Sequence, residues 1–545
     1  MAKKKDEEKK ALSRREFLKD TGMVVGGAAL TMGALSLAGC APEAETTTVT
    51  APGTTVTTTK TETATPWLPS KWDYEADVVV VGFGSAGAPA AIGAHDAGAN
   101  VLLLEKMPEG KEGGSTRIAG GNLIPATAAQ YRSRTFNLLS DEEATIYSQG
   151  MQSELDWLLN SGLEVNETTY PGTTMKSFQV PLTGGITGAP KLWSTIKSQV
   201  SAKGIKVLYQ TAGEELIQAP DTKEVLGIIA EIEGRKVNIK ANRGVVLTTG
   251  NYAASQDMLN RLNYSGLEIR TTTSPANTGD GQKMGMKAGA RLYNIGGEIP
   301  SNCAIQAPSE QYGTGFHWIA PKPNFIIVDK YGKRFINEGL ITGATPLTGF
   351  ISAYYPANDE YRHVPFWAVF DRKLIDNGPV FTNWRGWAIV EDVYQWSSDN
   401  SAEIAKGWIV QADTIAELAS KMKAKNWIGG QVTVQDTDAL VETTNSFNEY
   451  CANGKDLEFG RTNLGPLDTP PFYAMALCPL LYYTRGGLEH NIKGQTIGQD
   501  GKPILRLYSA GDVGQVSITM SEGILGAMAC GRIAGKNAAA ETPWS

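Results

Sequence analysis

The sequence predicts an α/β protein built on a parallel sheet, and three observations within one short stretch carry the prediction. Residues 78–81 (VVVV) form a continuous apolar run of the kind a strand buried on both faces requires. The run opens directly into Gly82, Phe83, Gly84, Ser85, Ala86 and Gly87, a G-x-G-x-x-G in front of a predicted helix over residues 85–97. A second apolar run, residues 101–104, ends in Glu105 and Lys106, about 20 residues beyond the glycines. Strand, glycines, helix, strand and acid in this order describe a Rossmann-like dinucleotide-binding unit. The first glycine permits the tight turn, the second lets backbone approach a pyrophosphate, and the third lets the helix pack against the strand. The helix start at Ser85 and Ala86 aims free N–H groups and the positive dipole end at the phosphates. A carboxylate at Glu105 can accept both hydroxyls of an adenosine ribose, which points to FAD or NAD rather than a 2'-phosphorylated cofactor.

With 545 residues the chain has room for two domains beyond a leader. A hydrophobic content of 41% and a charged content of 20% are those of a globular chain and exclude disorder as its overall state. The net charge of -7, with no basic block outside the N-terminus, argues against a nucleic-acid partner. Five scattered cysteines form no C-x-x-C pair, and four histidines show no ligand spacing, so no metal, haem or iron-sulfur site is expected.

Residues 1–40 read as a targeting segment. Lysines 3–5, 9 and 10 precede Ser13, Arg14, Arg15, Glu16, Phe17, Leu18 and Lys19, which resemble the twin-arginine export signal. The apolar stretch 23–38 is short and Gly/Ala-rich, below the about 20 apolar residues a membrane span needs. Leu37, Ala38, Gly39 and Cys40 resemble a bacterial lipobox, which implies a lipid on Cys40, anchoring to a membrane and a site of action outside the cytoplasm. Twin-arginine export also implies a protein folded around its cofactor before it crosses. About half of residues 41–66 are threonine, mixed with Pro, Glu and Ala, a composition expected to give a flexible linker, 41–71, rather than a packed core.

Past Glu105 the chain reads Gly113, Gly114, Ser115, Thr116, Arg117, Ile118, Ala119, Gly120 and Gly121, two glycine pairs around hydroxyls that let backbone lie flat against a planar ring. This loop resembles that of the fumarate reductase and succinate dehydrogenase flavoprotein family, which includes flavocytochrome c, urocanate reductases and ketosteroid dehydrogenases. The resemblance extends from residue 73 to the C-terminus. It implies an FAD-binding domain over 73–270 and 460–545, interrupted by an α+β cap domain over 271–459. It also implies FAD held without a covalent bond, because Gly114 stands near the place where covalent members carry a histidine.

In order along the chain, helices are predicted at 141–161 and 189–203. Short strands follow at 206–208, 215–219, 225–232 and 235–241, with a backbone contact to the adenosine near Glu214 implied by the resemblance. A buried strand at 244–248 leads to a second glycine turn at Thr249, Gly250 and Asn251. Thr278, Gly279, Asp280 and Gly281 match the family's T-G-D-G ahead of a helix at 282–289. Residues 325–338 (FIIVDKYGKRFINE) match its strand, turn and G-K-R-F-x-N-E, and a further helix spans 436–453. A strand opening at residues 471–474 is expected to return the chain to the nucleotide domain. Gly511 and Asp512, in LYSAGD, are implied to meet the flavin ribityl chain. The helix over 523–540, with Ile524 in its first turn, is implied to point its positive end at the flavin.

The site departs from a fumarate enzyme in four places. No arginine follows Glu338 in residues 339–343, no histidine follows Ile305–Gln306–Ala307, Tyr483 stands where a histidine precedes T-x-G-G, and residues 516–520 lack the carboxylate-binding arginine. What stands there instead is aromatic: Phe316, His317 and Trp318, with Tyr482, Tyr483, Arg485 and Met520. The expected reaction is reduction of an activated C=C bond of an unsaturated acid or enone by hydride transfer from flavin N5, with a proton delivered to the α-carbon. Tyr483 is the first catalytic candidate, with Arg485 and His317 behind it. A phenol with its ordinary pKa of about 10 needs a neighbouring cation to exchange protons at neutral pH. Core packing of Tyr482 and Tyr483 is the competing reading. Electrons are expected from a separate carrier such as a membrane quinol-linked cytochrome. A ketosteroid-type dehydrogenase and a non-catalytic flavin electron-transfer lipoprotein are the alternatives.

Overall fold

The structure is a computed structural model. It describes residues 45–51, 54–60 and 67–544, except 136, 170–173, 183–186, 263–269, 296–297, 306–322, 342–353, 357–359, 382–386, 392–393, 426–430 and 515–522. His317, the leader, residues 342–345 and residues 516–520 lie outside the described residues. Two compact units divide the chain, residues 1–66 and 67–545. In the first, the threonine-rich segment expected to lack regular structure forms an antiparallel hairpin, Glu45–Ala51 with Thr54–Lys60, in which Val49 faces Val56. Threonine is too polar to build a core, but its β-branch suits it to a strand, and that local preference sets the conformation here.

The second unit is organised by an eight-stranded sheet. Its main path runs Gln495–Ile497, Pro503–Ser509, Arg235–Leu247, Tyr74–Val81, Val101–Leu104 and Lys206–Leu208, with a meander of Val225–Ile232 and Thr211–Gln218 off its middle. The inner pairings are parallel, and Val78, Val79 and Val80 are fully buried, as the apolar run demands. The runs at 235–241 and 244–248, read as separate strands, are one strand broken by an irregularity between Ala241 and Gly244. Its first half pairs antiparallel with the meander and its second half parallel with Tyr74–Val81 and Pro503–Ser509, so it serves two neighbourhoods.

Helix Gly87–Asp96 packs on this sheet and against the C-terminal helix Gly523–Ala539 at very close range. A Cβ on Gly531 or Gly535 would stand 2.1 or 2.0 Å from the carbonyl oxygens of Ala86 and Ala90. The glycines of GRIAG are therefore the contact surface between the two helices.

A six-stranded sheet forms the cap, and it corrects the expected domain boundaries. Strand Phe472–Thr484, expected in the nucleotide domain, is the central strand of the cap sheet. It pairs with Arg270–Thr271, Glu298–Ile305, Phe366–Asp371 and Val410–Ala412. Its nearly continuous apolar run, FYAMALCPLLYYT, cannot reveal which sheet receives it. Helix Asp280–Lys287, expected in the cap, belongs to the nucleotide side: Met284, with Ala288 and Ala290 just beyond the helix, is buried with Val79, Val81 and Leu247.

The cap interior also holds an ionic cluster. Arg334, fully buried, pairs with Glu338 and Asp456 at 2.8 Å each, and Arg461 reaches Glu338 at 3.5 Å. The guanidinium beside Asp456 holds its carboxyl down at about 2. The G-K-R-F-x-N-E motif thus anchors the cap core.

Candidate cofactor and active site

Strands Tyr74–Val81, Val101–Leu104, Arg235–Leu247 and Pro503–Ser509 end at one level, with Val81 opposite both Leu104 and Leu247, and Leu247 opposite Ser509. Four loops therefore leave the carboxyl edge of the sheet together, where α/β folds place ligands. In the first, Gly82 has φ +108°, and a Cβ there would stand 2.5 Å from the Thr248 carbonyl oxygen, so only glycine closes the turn. A Cβ on Gly84 would stand 3.7 Å from the Gly113 carbonyl oxygen and 3.9 Å from the Thr116 hydroxyl, so the glycine turn lies against the second loop. Ahead of the helix, the Ser85 N–H donates to the Thr116 hydroxyl at 3.0 Å, which ties the glycine turn to the second loop.

Glu105 is buried and accepts the backbone N–H groups of Phe83 at 3.0 Å and Met107 at 2.8 Å. Burial pushes its carboxyl up to about 7, against the pull of those two amides. Lys106 donates to the Thr278 hydroxyl at 2.7 Å and pairs with Asp280 at 2.8 Å, so these two expected cofactor residues are partners of each other. Glu214 turns its side chain outward to Lys236 at 2.9 Å, leaving only backbone for an inward contact.

The loop residues 113–121 hold the centre. The Ser115 hydroxyl is 2.8 Å from that of Thr273 and accepts from Asn277 Nδ2 at 2.7 Å. Gly120 and Gly121 are tied to Gln179 and Val180: the Gln179 amide donates to the Gly120 carbonyl at 2.8 Å and the Val180 N–H to that of Gly121 at 2.9 Å. Gly114 opens the short helix Gly114–Arg117 with φ +50°.

Gly250 lies against Asn277, and the Gly281 N–H donates to the Thr249 hydroxyl at 3.1 Å. Gln282 Nε2 bridges the carbonyls of Gly250 at 3.1 Å and Asp512 at 3.4 Å, and Asn251 Nδ2 donates to the Asp512 carboxylate at 2.9 Å. Burial raises the Asp512 carboxyl above its ordinary range. Gly511, Asp512 and Gly514 line a cavity with Tyr131, Tyr147, His490 and the face of helix Gly523–Ala539 that carries Gly523, Gly526, Ala527 and Cys530. Ile524 sits in the first turn of that helix.

A Cβ on Gly487 would stand 2.2 Å from the Val513 carbonyl oxygen, so the T-R-G-G turn holding Arg485 lies directly on the turn holding Asp512. Tyr482 is buried with Cys478, and Tyr483, half-buried near the end of strand Phe472–Thr484, packs against the same pair, while His317 lies outside the described residues.

Asn277, Gln282, Thr273 and His490 were not singled out from the sequence. Asn277 directly precedes T-G-D-G, a placement that could have marked it; His490 carries no sequence signal.

The donor set fits a dinucleotide carrying a flavin: a glycine cradle at a helix start, a buried acid at the end of the second strand and a hydroxyl-bearing loop between two glycine pairs. A second acid faces a cavity at another helix start.

The FAD binding domain family model matches residues 77–521. NADH:acrylate oxidoreductase of Vibrio harveyi is 26% identical over 83% of this chain, which spans 49% of that protein, about half its length. Vinyl phenol reductase of Lactiplantibacillus plantarum is 25% identical over 80% of this chain and 89% of its own. Among solved structures, 3-ketosteroid delta1-dehydrogenase from Sterolibacterium denitrificans, in complex with 1,4-androstadiene-3,17-dione, superposes with a TM-score of 0.69. It shares 21% identity and covers 86% of this chain and 99% of its own.

Proposed function

Because the chain belongs to the FAD binding domain family, we propose that it is an FAD-dependent oxidoreductase that reduces an activated alkene other than fumarate. We further propose that it does so outside the cytoplasm, with electrons from a separate carrier. FAD, when bound, supplies the hydride; the chain supplies orientation and the proton. The observation that supports this reading is the seating of the T-R-G-G turn on the Asp512 turn, with Arg485 inside the first turn and Tyr483 directly before it in the chain. A half-buried phenol can orient the polar group of an enone or aryl alkene and move a proton at its hydroxyl oxygen, and Arg485, two residues on, is the candidate cation to assist it. Vinyl phenol, the substrate in the name of one relative, is an alkene conjugated to a ring and without a carboxylate. His317 stands behind Tyr483 as a second candidate.

Ser13–Arg14–Arg15 and Cys40 support export and a lipid anchor. That part is tested by following signal processing and lipid incorporation in the Cys40→Ser variant.

The activity is tested by reducing the protein with dithionite and adding unsaturated acids and enones one at a time. Reoxidation by an enone or aryl alkene, lost at least tenfold in Tyr483→Phe, is expected. Efficient turnover of fumarate, or an unchanged rate in the phenylalanine variant, would overturn the substrate class or the role of Tyr483 respectively.

A further inference from the structure

His490 lines the Asp512 cavity, the proposed reaction leaves it without a task, and its setting is specific. It is 7% exposed, directly after the strand Gly487–Leu488, and forms a bridge with Thr496. Its Nδ1 lies 3.1 Å from the Asn491 carbonyl oxygen, and the Cδ2 edge of the ring packs on Gly514. The fit to Gly514 is tight, since a Cβ on that residue would stand 3.0 Å from His490 Cδ2 and 2.6 Å from the Ser509 hydroxyl.

Gly514 closes the turn begun by Gly511, its N–H donating to the Gly511 carbonyl at 3.0 Å, and Asp512 lies between them. The ring therefore grips the far end of the turn whose acid faces the cavity.

An apolar side chain would fill this position without the desolvation cost of burying a polar ring whose partners were imperfect. An imidazole is worth burying where backbone carbonyls of a turn need a donor. Burial holds His490 below its ordinary range, so the ring is neutral with one N–H: that N–H serves the Asn491 carbonyl, and the Cδ2 edge packs on Gly514. The acidic groups that bear on it, Glu143 and Glu489, do not reverse that.

We propose that His490 is a positioning residue for the cofactor, clamping the turn 511–514 so that the Asp512 carboxylate is held toward bound FAD. The proposal rests on the reading of Asp512 as a cofactor contact.

The test is a double-mutant cycle on FAD affinity, measured by flavin fluorescence on reconstituting apoprotein made from the purified holoprotein. The four proteins are the wild type, His490→Leu, Asp512→Asn and the double variant. Each single substitution is expected to weaken FAD binding at least tenfold, and the double variant to bind no worse than about threefold below the weaker single. His490→Gln, which keeps an N–H at the ring's reach, is expected to recover most of the loss.

Additive losses would show that His490 acts independently of Asp512 and would overturn the proposal alone. An Asp512→Asn variant that binds FAD like the wild type would overturn the reading of Asp512, and the clamp with it. Should the leucine variant not fold, His490→Asn, too short to span to Gly514, takes its place in the same cycle.

Discussion

Glu105 shows how one residue can be both legible in the sequence and surprising in the structure. Its place at the end of the second strand was readable, because spacing along a βαβ unit is a local property. Its charge state was not, because that depends on burial. The carboxyl rises to about 7 in the folded protein from an ordinary value near 4.5. A carboxyl raised in this way stabilises the fold below the unfolded-state value and loses that contribution as pH climbs through the folded value, here between about 4.5 and 7 and by roughly 3 kcal/mol at most. Glu105→Gln cannot titrate, so the cofactor-free variant is expected to lose this slope when urea unfolding is compared at pH 5 and pH 7. The same variant is expected to bind FAD roughly tenfold or more weakly, since an amide cannot accept from two ribose hydroxyls as a carboxylate does. An unchanged slope together with unchanged affinity would refute both parts.

Elements were legible where the pattern is local and illegible where partners decide. The helices at 141–161 and 189–203 were read to within a residue or so of Asp141–Asn160 and Ala189–Ala202, the first because Ser140 and Glu143 form a reciprocal capping box. The strand Phe472–Thr484 was recognised but assigned to the wrong sheet, because an apolar strand carries no mark of its neighbours. Likewise, Asn277 and His490 owe their importance to loops remote in sequence. The pairing of helix Gly523–Ala539 with Gly87–Asp96 lies between these cases, since its glycines are visible but what they touch is not. At Gly531 the Ala86 carbonyl leaves no room for a methyl group. Gly531→Ala must push the two helices apart, at a cost of about 1–3 kcal/mol. Because Ala86 and Gly87 begin the cofactor helix, a lower Tm is expected together with faster FAD release from the holoprotein. A drop in Tm without faster release would mean that the helix pair supports the fold and not the cradle.

At the scale of the whole catalytic unit, a buried carboxylate is one of the ties between the cap and the nucleotide body. Glu391, with a side chain only 4% exposed, pairs with both Arg117 and Lys111 of the loop that holds Ser115 and Thr116. Beside it the Trp387 N–H donates to the Thr272 carbonyl at 3.0 Å, one residue before the Thr273 hydroxyl that faces Ser115. Arg117 is largely buried, and desolvation already pulls its pKa down, so without Glu391 it would be a cation in the wrong medium. Breaking one side of such a pair costs more than the pair itself contributes, because the remaining charge stays buried. Glu391→Gln should therefore shift the balance toward arrangements in which the cap segment leaves the loop and water reaches Arg117. Hydrogen exchange is expected to quicken in helix Trp387–Val390 and in Gly114–Arg117 together, while the buried cap strand Phe366–Asp371 keeps its protection. Alkene turnover should show a raised KM with a smaller effect on kcat, since the substitution loosens the cover over the site without touching Tyr483 or Arg485. Faster exchange confined to the cap segment would show that the loop stands without this pair, and equal exchange throughout would show that the cap is held by its apolar contacts alone.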